Sequence, residues 1–421
     1  MIRLLVIADD LTGASETGAQ FAEMGLVAEV SIDAERIAGP PADDVDICVV
    51  DTESRHISPE RAELRVERLV RATRRDGIGR FYKKMDSTLR GNIGAELEAL
   101  MRAAGARRLP FVPAYPAAGR STRDGRQYVH GQPLAETEFA RDPLAPVESS
   151  SIPDIIARQS SVRASVIGTN ELDTLFEPTQ PDECICVFDA ETDDDLDRIA
   201  ACLEKHDLLR CCAGAAGFAE RVARRLAPTT RRSAPVATSG PVLFVNGSLQ
   251  ETALRQVRRG LEAGIESAQL EPEVVFSHDP HAAGSALIDS AYAQLQAGRD
   301  MLICTAVDPR DQERYLRRAQ QHGVDDHCAA VAEALAAIAA AIARRWDGLG
   351  AITAFGGDTA VVLLRALGLT TLRPRRELWP GVIECASRLG GRDMAFITKS
   401  GGLGPEDLVP RLSRMYAGRE S

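Results

Sequence analysis

Apolar residues run almost unbroken from Ile2 to Ile7 and stop at Asp9-Asp10. A short continuous apolar run of this kind reads as a strand buried on both faces of a parallel sheet. From about Thr17 to Met24 apolar positions return at helical spacing. The alternation then repeats. Strands are predicted at Val45–Asp51, Phe81–Met85, Leu109–Pro113, Val162–Ile167, Cys184–Asp189 and Leu208–Ala213. Helices are predicted between them. One begins at Ser58-Pro59-Glu60, with Ser58 as cap and Pro59 in the first position. Another, Asp193–Cys202, has an acidic first turn that suits its dipole. The pattern breaks over Ala114–Leu144, where the turn dipeptides Asp124-Gly125 and His130-Gly131 enclose Gln127–Val129 and predict a small hairpin.

Pro228–Pro241 is rich in Pro, Ser and Thr, has no periodicity, and reads as a linker. A second alternating series follows. Its strands are Val242–Val245, Met301–Ala306 and Gly350–Ala354, with a long helix over Ala329–Trp346 and a hairpin pair, Val382–Ser387 and Met394–Thr398, around Gly390-Gly391. The expected fold class is therefore α/β with two domains, each a mainly parallel sheet flanked by helices, and a small hairpin insertion in the first. The expected bounds are residues 1–228 and 242–421, joined by a linker at 229–241.

A net charge of -11 argues against nucleic acid as the main partner, yet leaves room for a locally basic site that takes a small anion. The nine cysteines are odd in number and form no CxxC pair, which reads as reduced thiols in a cytoplasmic protein. The chain enters a strand at once, with no signal-peptide pattern. No apolar run reaches membrane-spanning length, since Ala329–Ala343 is short and carries Glu333; no membrane partner is expected. A homo-oligomer is compatible with the sequence, which does not decide it.

The chemistry collects where strands end. Asp9 and Asp10 sit where a buried strand passes into a helix, the place where open α/β sheets bind ligands. One Asp there could equally cap the helix. Two in a row, followed by Thr12-Gly13 and Thr17-Gly18, exceed what capping needs, and crowded carboxylates repel unless a cation or a substrate proton uses them. The next strand runs out into Asp51–His56, where Arg55 suits bidentate binding of a carboxylate or a surface ion pair. The third runs into Lys83–Gly94. There Lys84 or Arg90 could hold a negative group, Asp86 could accept a proton or bind a metal, and a helix start adds free N–H groups. In the second half three strand ends carry loops rich in glycine and hydroxyls: Asn246-Gly247-Ser248, Phe355–Ala360 and Lys399–Gly404. Such loops can cradle phosphate. Neither a GxxxxGK[ST] loop nor a GxGxxG fingerprint is present.

These motifs together resemble the four-carbon acid sugar kinases, the family of D-threonate, D-erythronate and 3-oxo-tetronate kinases. The likeness spans nearly the whole chain: Ala8–Gly13, Lys84–Gly91, Gly119-Arg120 through Pro133-Leu134 with Asp142-Pro143, Asn246–Ser248, Gly356–Thr359 and Lys399–Gly402. One departure is the last loop, Ser-Gly-Gly-Leu-Gly, where many members have Ser-Gly-Asn-Phe-Gly. The resemblance implies an ATP-dependent kinase working with Mg²⁺, an N-terminal domain for the acid sugar and a C-terminal domain for ATP. By likeness Asp9, Arg55, Lys84, Met85, Asp86 and Ser87 would contact the sugar acid, with Asp9 or Asp86 catalytic. Ser248, Gly356, Gly357, Asp358, Thr359 and Gly401 would contact ATP; metal ligands are unassigned. The Asp-Asp-Leu-Thr-Gly spelling looks nearer to the threonate and erythronate kinases than to the oxo-tetronate branch. This makes D-threonate, yielding D-threonate 4-phosphate, the first expectation and the other tetronates the alternatives. A dehydrogenase is disfavoured by the missing fingerprint. A dehalogenase-like phosphatase is disfavoured because Asp9 and Asp10 are adjacent rather than spaced Asp-x-Asp. A non-catalytic sensor would need only half of these clusters.

Overall fold

The computed structural model describes residues 2–33, 44–142, 145–172, 183–227, 235–308, 310–324 and 326–418. Pro143 and the 228–234 part of the expected linker lie outside these residues. The chain divides into two compact units, Met1–Ser233 and Ala234–Ser421.

The first unit opens with β1 (Leu4–Ala8), α1 (Leu11–Glu23), β2 (Ala28–Ser31), β3 (Ile47–Asp51), α2 (Pro59–Arg75), β4 (Phe81–Lys84), α3 (Ile93–Ala104) and β5 (Arg108–Val112). A three-stranded insertion follows, β6 (Arg120–Arg123), β7 (Arg126–Val129) and β8 (Gln132–Pro133). Then come α4 (Ile152–Ala157), β9 (Ala164–Ile167), β10 (Cys184–Phe188), α5 (Asp193–Lys205), β11 (Cys211–Gly214) and α6 (Ala216–Leu226). Eight strands form a wholly parallel sheet in the order β2-β3-β1-β4-β11-β5-β10-β9. The strand order reverses at β1, with β3 on one side and β4 on the other. Ala8 is level with both Asp51 and Lys84, so three strands end together. Every residue of β1, β3, β4 and β10 is buried, as two-sided helix cover requires.

α1 begins six residues before the apolar periodicity does. Asp10 is its N-cap, in extended conformation, and accepts the Gly13 N–H at 3.0 Å. Ser15 and Thr17 point inward and are buried, so the first turns are interior without being apolar. The strand expected from Leu208 starts at Cys211, because Leu208–Arg210 form a single 3₁₀ turn. The expected hairpin has a third strand. Both of its turns have positive φ at two successive residues, Asp124-Gly125 (52°, 68°) and His130-Gly131 (49°, 82°), which matches the right-handed strand twist. His130 is thus a turn residue.

The second unit contains β12 (Val242–Asn246), α7 (Glu251–Glu262), β13 (Glu266–Gln269), α8 (Pro272–Val275), α9 (Pro280–Ala283), α10 (Ser285–Gln296), β14 (Met301–Cys304) and α11 (Asp311–His322). It continues with α12 (His327–Arg345), β15 (Ala351–Phe355), α13 (Gly357–Leu367), β16 (Thr371–Trp379), β17 (Val382–Leu389), β18 (Arg392–Lys399) and α14 (Leu408–Tyr416). Its sheet runs β13-β14-β12-β15-β18-β17-β16, with β17 and β16 antiparallel and the rest parallel. Here the order reverses at β12, and Asn246, Phe355 and Lys399 end level with one another. α12 corrects an expectation: at 19 residues and a mean hydropathy of 1.5 it is long and apolar enough to cross a membrane. It extends past the alanine run at both ends, and half of that window is buried within the fold.

Gly214 ends β11, beside β4 and β5. A Cβ there would lie 2.5 Å from the Val112 carbonyl oxygen and 2.9 Å from the Tyr82 hydroxyl. Gly214→Ala is expected to lower unfolding stability by about 1–3 kcal/mol. Urea denaturation checks this, and an unchanged midpoint would mean the sheet yields there freely.

Candidate active site

The level ends of β3, β1 and β4 bring Asp9, Asp10, Arg55, Lys84 and Asp86 into one cluster. Arg55 organises it. Its Nε donates to Asp9 Oδ2 at 2.7 Å, while Nη1 and Nη2 reach the two oxygens of Asp10 at 2.9 and 2.8 Å. All three nitrogens of the guanidinium face protein carboxylates, so Arg55 is not the free fork for a substrate carboxylate that the sequence suggested. The loop carrying it is fixed by Asn92, whose side-chain amide donates to the Ser54 and Ile57 carbonyls at 2.8 and 2.9 Å. Glu53 and Leu89 hold left-handed backbone on either side, at φ 43° and 56°.

Lys84 is buried, and its ammonium rests against the first turn of α1: a Cβ on Gly13 would lie 2.9 Å from Nζ. Among the described residues it makes no ion pair or hydrogen bond. Its neighbour Lys83, pointing the other way along the strand, is fully buried and pairs with Glu96 Oε2 at 3.3 Å. Glu96 also accepts the Ser54 hydroxyl. Asp86 uses one oxygen, Oδ2, for both Thr88 Oγ1 and Arg90 Nε, each at 2.6 Å, leaving Oδ1 open. Asp9 Oδ1 and Asp51 Oδ2 are buried without a hydrogen-bond partner. The Met85 side chain packs into the core and its N–H goes to the Gly214 carbonyl, so the side chain does not face the cluster. The Ser87 carbonyl accepts from Gln127 at 2.7 Å, which ties the β6–β8 insertion to this loop. Asp189, at the end of β10, holds the insertion's first turn through the Asp124 and Gly125 N–H groups.

Burial works against the ionised forms of Asp10, Glu16, Asp51 and Asp86, and nearby cations oppose it to different extents. Asp86 is pushed up by burial, but Arg90 and Arg55 outweigh this and hold it well below the usual range. Asp10, partly buried, is raised by desolvation, but Arg55 and Lys84 bring it below. Burial raises Glu16 despite Lys84, with Asp10 and Asp86 adding to the rise, and it raises Asp51 well above the usual range. The cluster thus holds Asp10 and Asp86 low and Glu16 and Asp51 high. A cavity of about 320 Å³ lies beside it, lined by Arg55, Gly91, Asn92 and Gln159, but none of Asp9, Lys84 or Asp86 lines that cavity.

In the second unit the loops after β12, β15 and β18 converge. A Cβ on Gly247 would sit 2.4 Å from Thr359 Oγ1, and one on Gly401 would sit 2.9 Å from Ser248 Oγ. Gly356 takes φ 95° to start α13 and comes within 3.8 Å of both Ser248 and Thr359 by the same measure. Ser248, Gly356, Thr359 and Gly401 are therefore brought together with Gly357, the first residue of α13. Asp358 is exposed and acts on Cys328 of α12. Neither α7 nor α13 has a side-chain cap, so two helix starts keep free N–H groups beside these loops. Glycine at these positions lets the loops pack against one another, and the uncapped amides beside them are donors that suit an anion.

Lys399 adds what the motif reading passed over. Its ammonium donates to the Gly401 carbonyl at 2.7 Å and lies 5.0 Å from the Phe355 ring centre. Burial brings its pKa down to about 7. A signal was available: the chain has four lysines among its 50 basic residues, and Lys83, Lys84 and Lys399 are the three at strand ends. Glu96 gave no such signal, because its partners Ser54 and Lys83 come from other elements.

The family model described as a sugar-binding N-terminal domain matches residues 4–222, and that described as a nucleotide-binding C-terminal domain matches residues 243–409. The D-threonate kinase of Salmonella typhimurium is 31% identical, over 99% of this chain and 100% of its own. The 3-oxo-tetronate kinase of Methylobacterium radiotolerans is 30% identical, over 98% of each chain. The solved structure of the Haemophilus influenzae protein HI1011 has the same fold, with a TM-score of 0.74 at 23% identity over 98% of this chain and 100% of that one. A sugar-binding unit followed by a nucleotide-binding unit defines a two-domain sugar kinase. The chain belongs to the four-carbon acid sugar kinase family.

Removing one side of the Arg55 cluster exposes its electrostatics. Arg55→Met is expected to cost about 3–5 kcal/mol at neutral pH, because Asp9 and Asp10 are left buried without their cation. Asp10 is depressed in the folded state, so its contribution is present above the unfolded carboxyl pKa and fades as pH falls towards and below it. In Arg55→Met the guanidinium no longer opposes burial, so the variant's carboxyls take up protons at higher pH and the deficit, read by urea denaturation, should shrink as pH falls from about 7 towards about 4 and below. A pH-independent deficit would contradict the ion-pair account.

Lys399 has the opposite sign. Its folded pKa is lowered, so the destabilisation is full below about pH 7 and is relieved as pH rises towards the unfolded value of 10.5. Lys399→Met should raise the melting temperature at pH 6–7, with a gain that disappears near pH 10. An equal gain at both ends would rule out a buried charge as its cause.

Proposed function

We propose that the protein transfers the γ-phosphate of ATP to the terminal 4-hydroxyl of D-threonate. The observation that carries this reading is the pairing, at one sheet edge, of an uncommitted buried ammonium with carboxylates that keep an open oxygen: Lys84 beside Asp9 and Asp86. A sugar acid offers a carboxylate for the first and hydroxyls for the second. Lys84 takes the substrate carboxylate and so sets the distance to the far hydroxyl. Arg55 keeps Asp9 and Asp10 in place and contributes its positive charge to the same region. Asp86, which stays ionised, accepts the hydrogen bond of the attacking hydroxyl through Oδ1 and takes its proton as the phosphoryl group arrives; Asp9 Oδ1 is the alternative acceptor. In the second unit Ser248, Gly356–Thr359 and Gly401 hold the nucleotide. Mg²⁺ bound with ATP would neutralise charge on the phosphates, and Asp358 in the first turn of α13 is the carboxylate that would hold it there.

The spelling Asp9-Asp10-Leu11-Thr12-Gly13 with Glu16 behind it supports threonate or erythronate over the oxo-tetronates. Identities of 31% and 30% to kinases of different acids do not separate these substrates. Coupled ATP consumption with Mg²⁺ over D- and L-threonate, D- and L-erythronate and the oxo-tetronates tests the reading. D-threonate is expected to turn over fastest. Fastest turnover on another tetronate would reassign the substrate, and none on any would overturn the acceptor class. Asp86→Asn should lower kcat about 10²–10⁴-fold in a folded protein; full turnover would pass the proton-accepting role to Asp9.

A further inference from the structure

We infer that Lys399 is the cation with which the second unit holds the phosphate chain of its nucleotide. The inference rests on reading that unit as a nucleotide site and assigns the charge that such a site needs. Lys399 is the last residue of β18, level with Phe355, which is level with Asn246. Register partners on adjacent strands share a face, so the three side chains lie together at the edge where the Ser248, Gly356 and Gly401 loops converge.

Among the described residues no carboxylate pairs with it. Of its three donors, the Gly401 carbonyl takes one, and the Phe355 ring lies 5.0 Å away. The charged groups on the surrounding elements are engaged elsewhere. Glu384 of β17 binds Arg376 at 2.9 Å and the Tyr416 hydroxyl of α14 at 2.7 Å. Arg255 of α7 pairs with Glu251 at 2.8 Å and Glu406 at 3.1 Å, and Arg411 of α14 with Asp407 at 2.8 Å. Asp358 of α13 is exposed. A buried ammonium without a counterion is unfavourable, and a methionine would fill the same space without that penalty. The composition points the same way. This chain has 50 basic residues and only four are lysines, so arginine is its ordinary surface cation. Lysine at a buried strand end supplies what arginine does not: a compact point charge that can lose and regain its proton.

Burial brings the Lys399 pKa to about 7. A polyphosphate beside it restores the charged form. At pH 8 nucleotide binding should then carry the uptake of close to one proton.

Calorimetric titration of the full chain with MgATP at pH 8, in two buffers of different ionisation enthalpy, measures that uptake. Wild type is expected to take up a proton. Lys399→Met should lose the uptake and bind MgATP at least about tenfold more weakly, while its affinity for adenosine, which has no phosphate, stays the same. Lys399→Arg, charged at every pH, should bind MgATP without the uptake. Wild-type affinity and uptake in Lys399→Met would overturn the inference. So would the absence of uptake in wild type, which decides the matter even if the variants do not fold. Failure of wild type to bind MgATP at all would instead overturn the nucleotide reading of the unit, and it is visible before any variant is made.

Discussion

The first unit depends on one guanidinium placed between two carboxylates. Arg55 reaches Asp9 and Asp10 across the ends of β3 and β1 with contacts of 2.7–2.9 Å. Without it, Asp9 and Asp10 would repel each other and the start of α1 would lose its anchored cap. With it, the α1 helix start, the loop after β3 and the carboxylates near β4 become one rigid body. Burial and charge oppose each other throughout this body. Burial raises the carboxyls, Arg55 and Arg90 bring Asp10 and Asp86 down again, and Asp51 and Glu16 stay raised because they lack a comparable partner. Ground-state structure of this kind, with charges already fixed, is what a phosphoryl transfer enzyme uses in place of covalent chemistry.

The two units solve related problems in the same way. Each places its loops at the edge of a mainly parallel sheet where the strand order reverses. Each keeps a buried lysine there that no carboxylate among the described residues pairs with: Lys84 against the first turn of α1, and Lys399 beside Gly401. The two differ in surroundings. Lys84 lies near the carboxylates of Asp10 and Glu16 and suits a small carboxylate ligand held between it and them. Lys399 is buried beside an aromatic ring and glycine backbone and suits a ligand that brings several negative charges.

Much of this was readable in the sequence. Continuous apolar runs marked the parallel strands, and polar residues just after them marked the site, because a buried strand leaves only its end for chemistry. Asp9, Arg55, Lys84 and Asp86 were picked out as candidates that way, and the level strand ends bring them together. What could not be read depended on three-dimensional partners. Arg55 was expected to bind substrate, and its engagement by Asp9 and Asp10 follows from the register of β1 with β3. Met85 sits in the middle of a polar run, yet faces the core. The start of α1 was hidden because its inward positions, Ser15 and Thr17, are polar. β16 was missed because a nine-residue strand holding Pro374 and three arginines has no alternation to detect.

The central claim is that Lys84 waits for the carboxylate of a four-carbon sugar acid. Equilibrium binding of D-threonate and of its uncharged lactone, to wild type and to Lys84→Met, tests it most directly. The account predicts that wild type binds the acid and discriminates strongly against the lactone, and that Lys84→Met binds both weakly and alike. Equal binding of acid and lactone by wild type would contradict it.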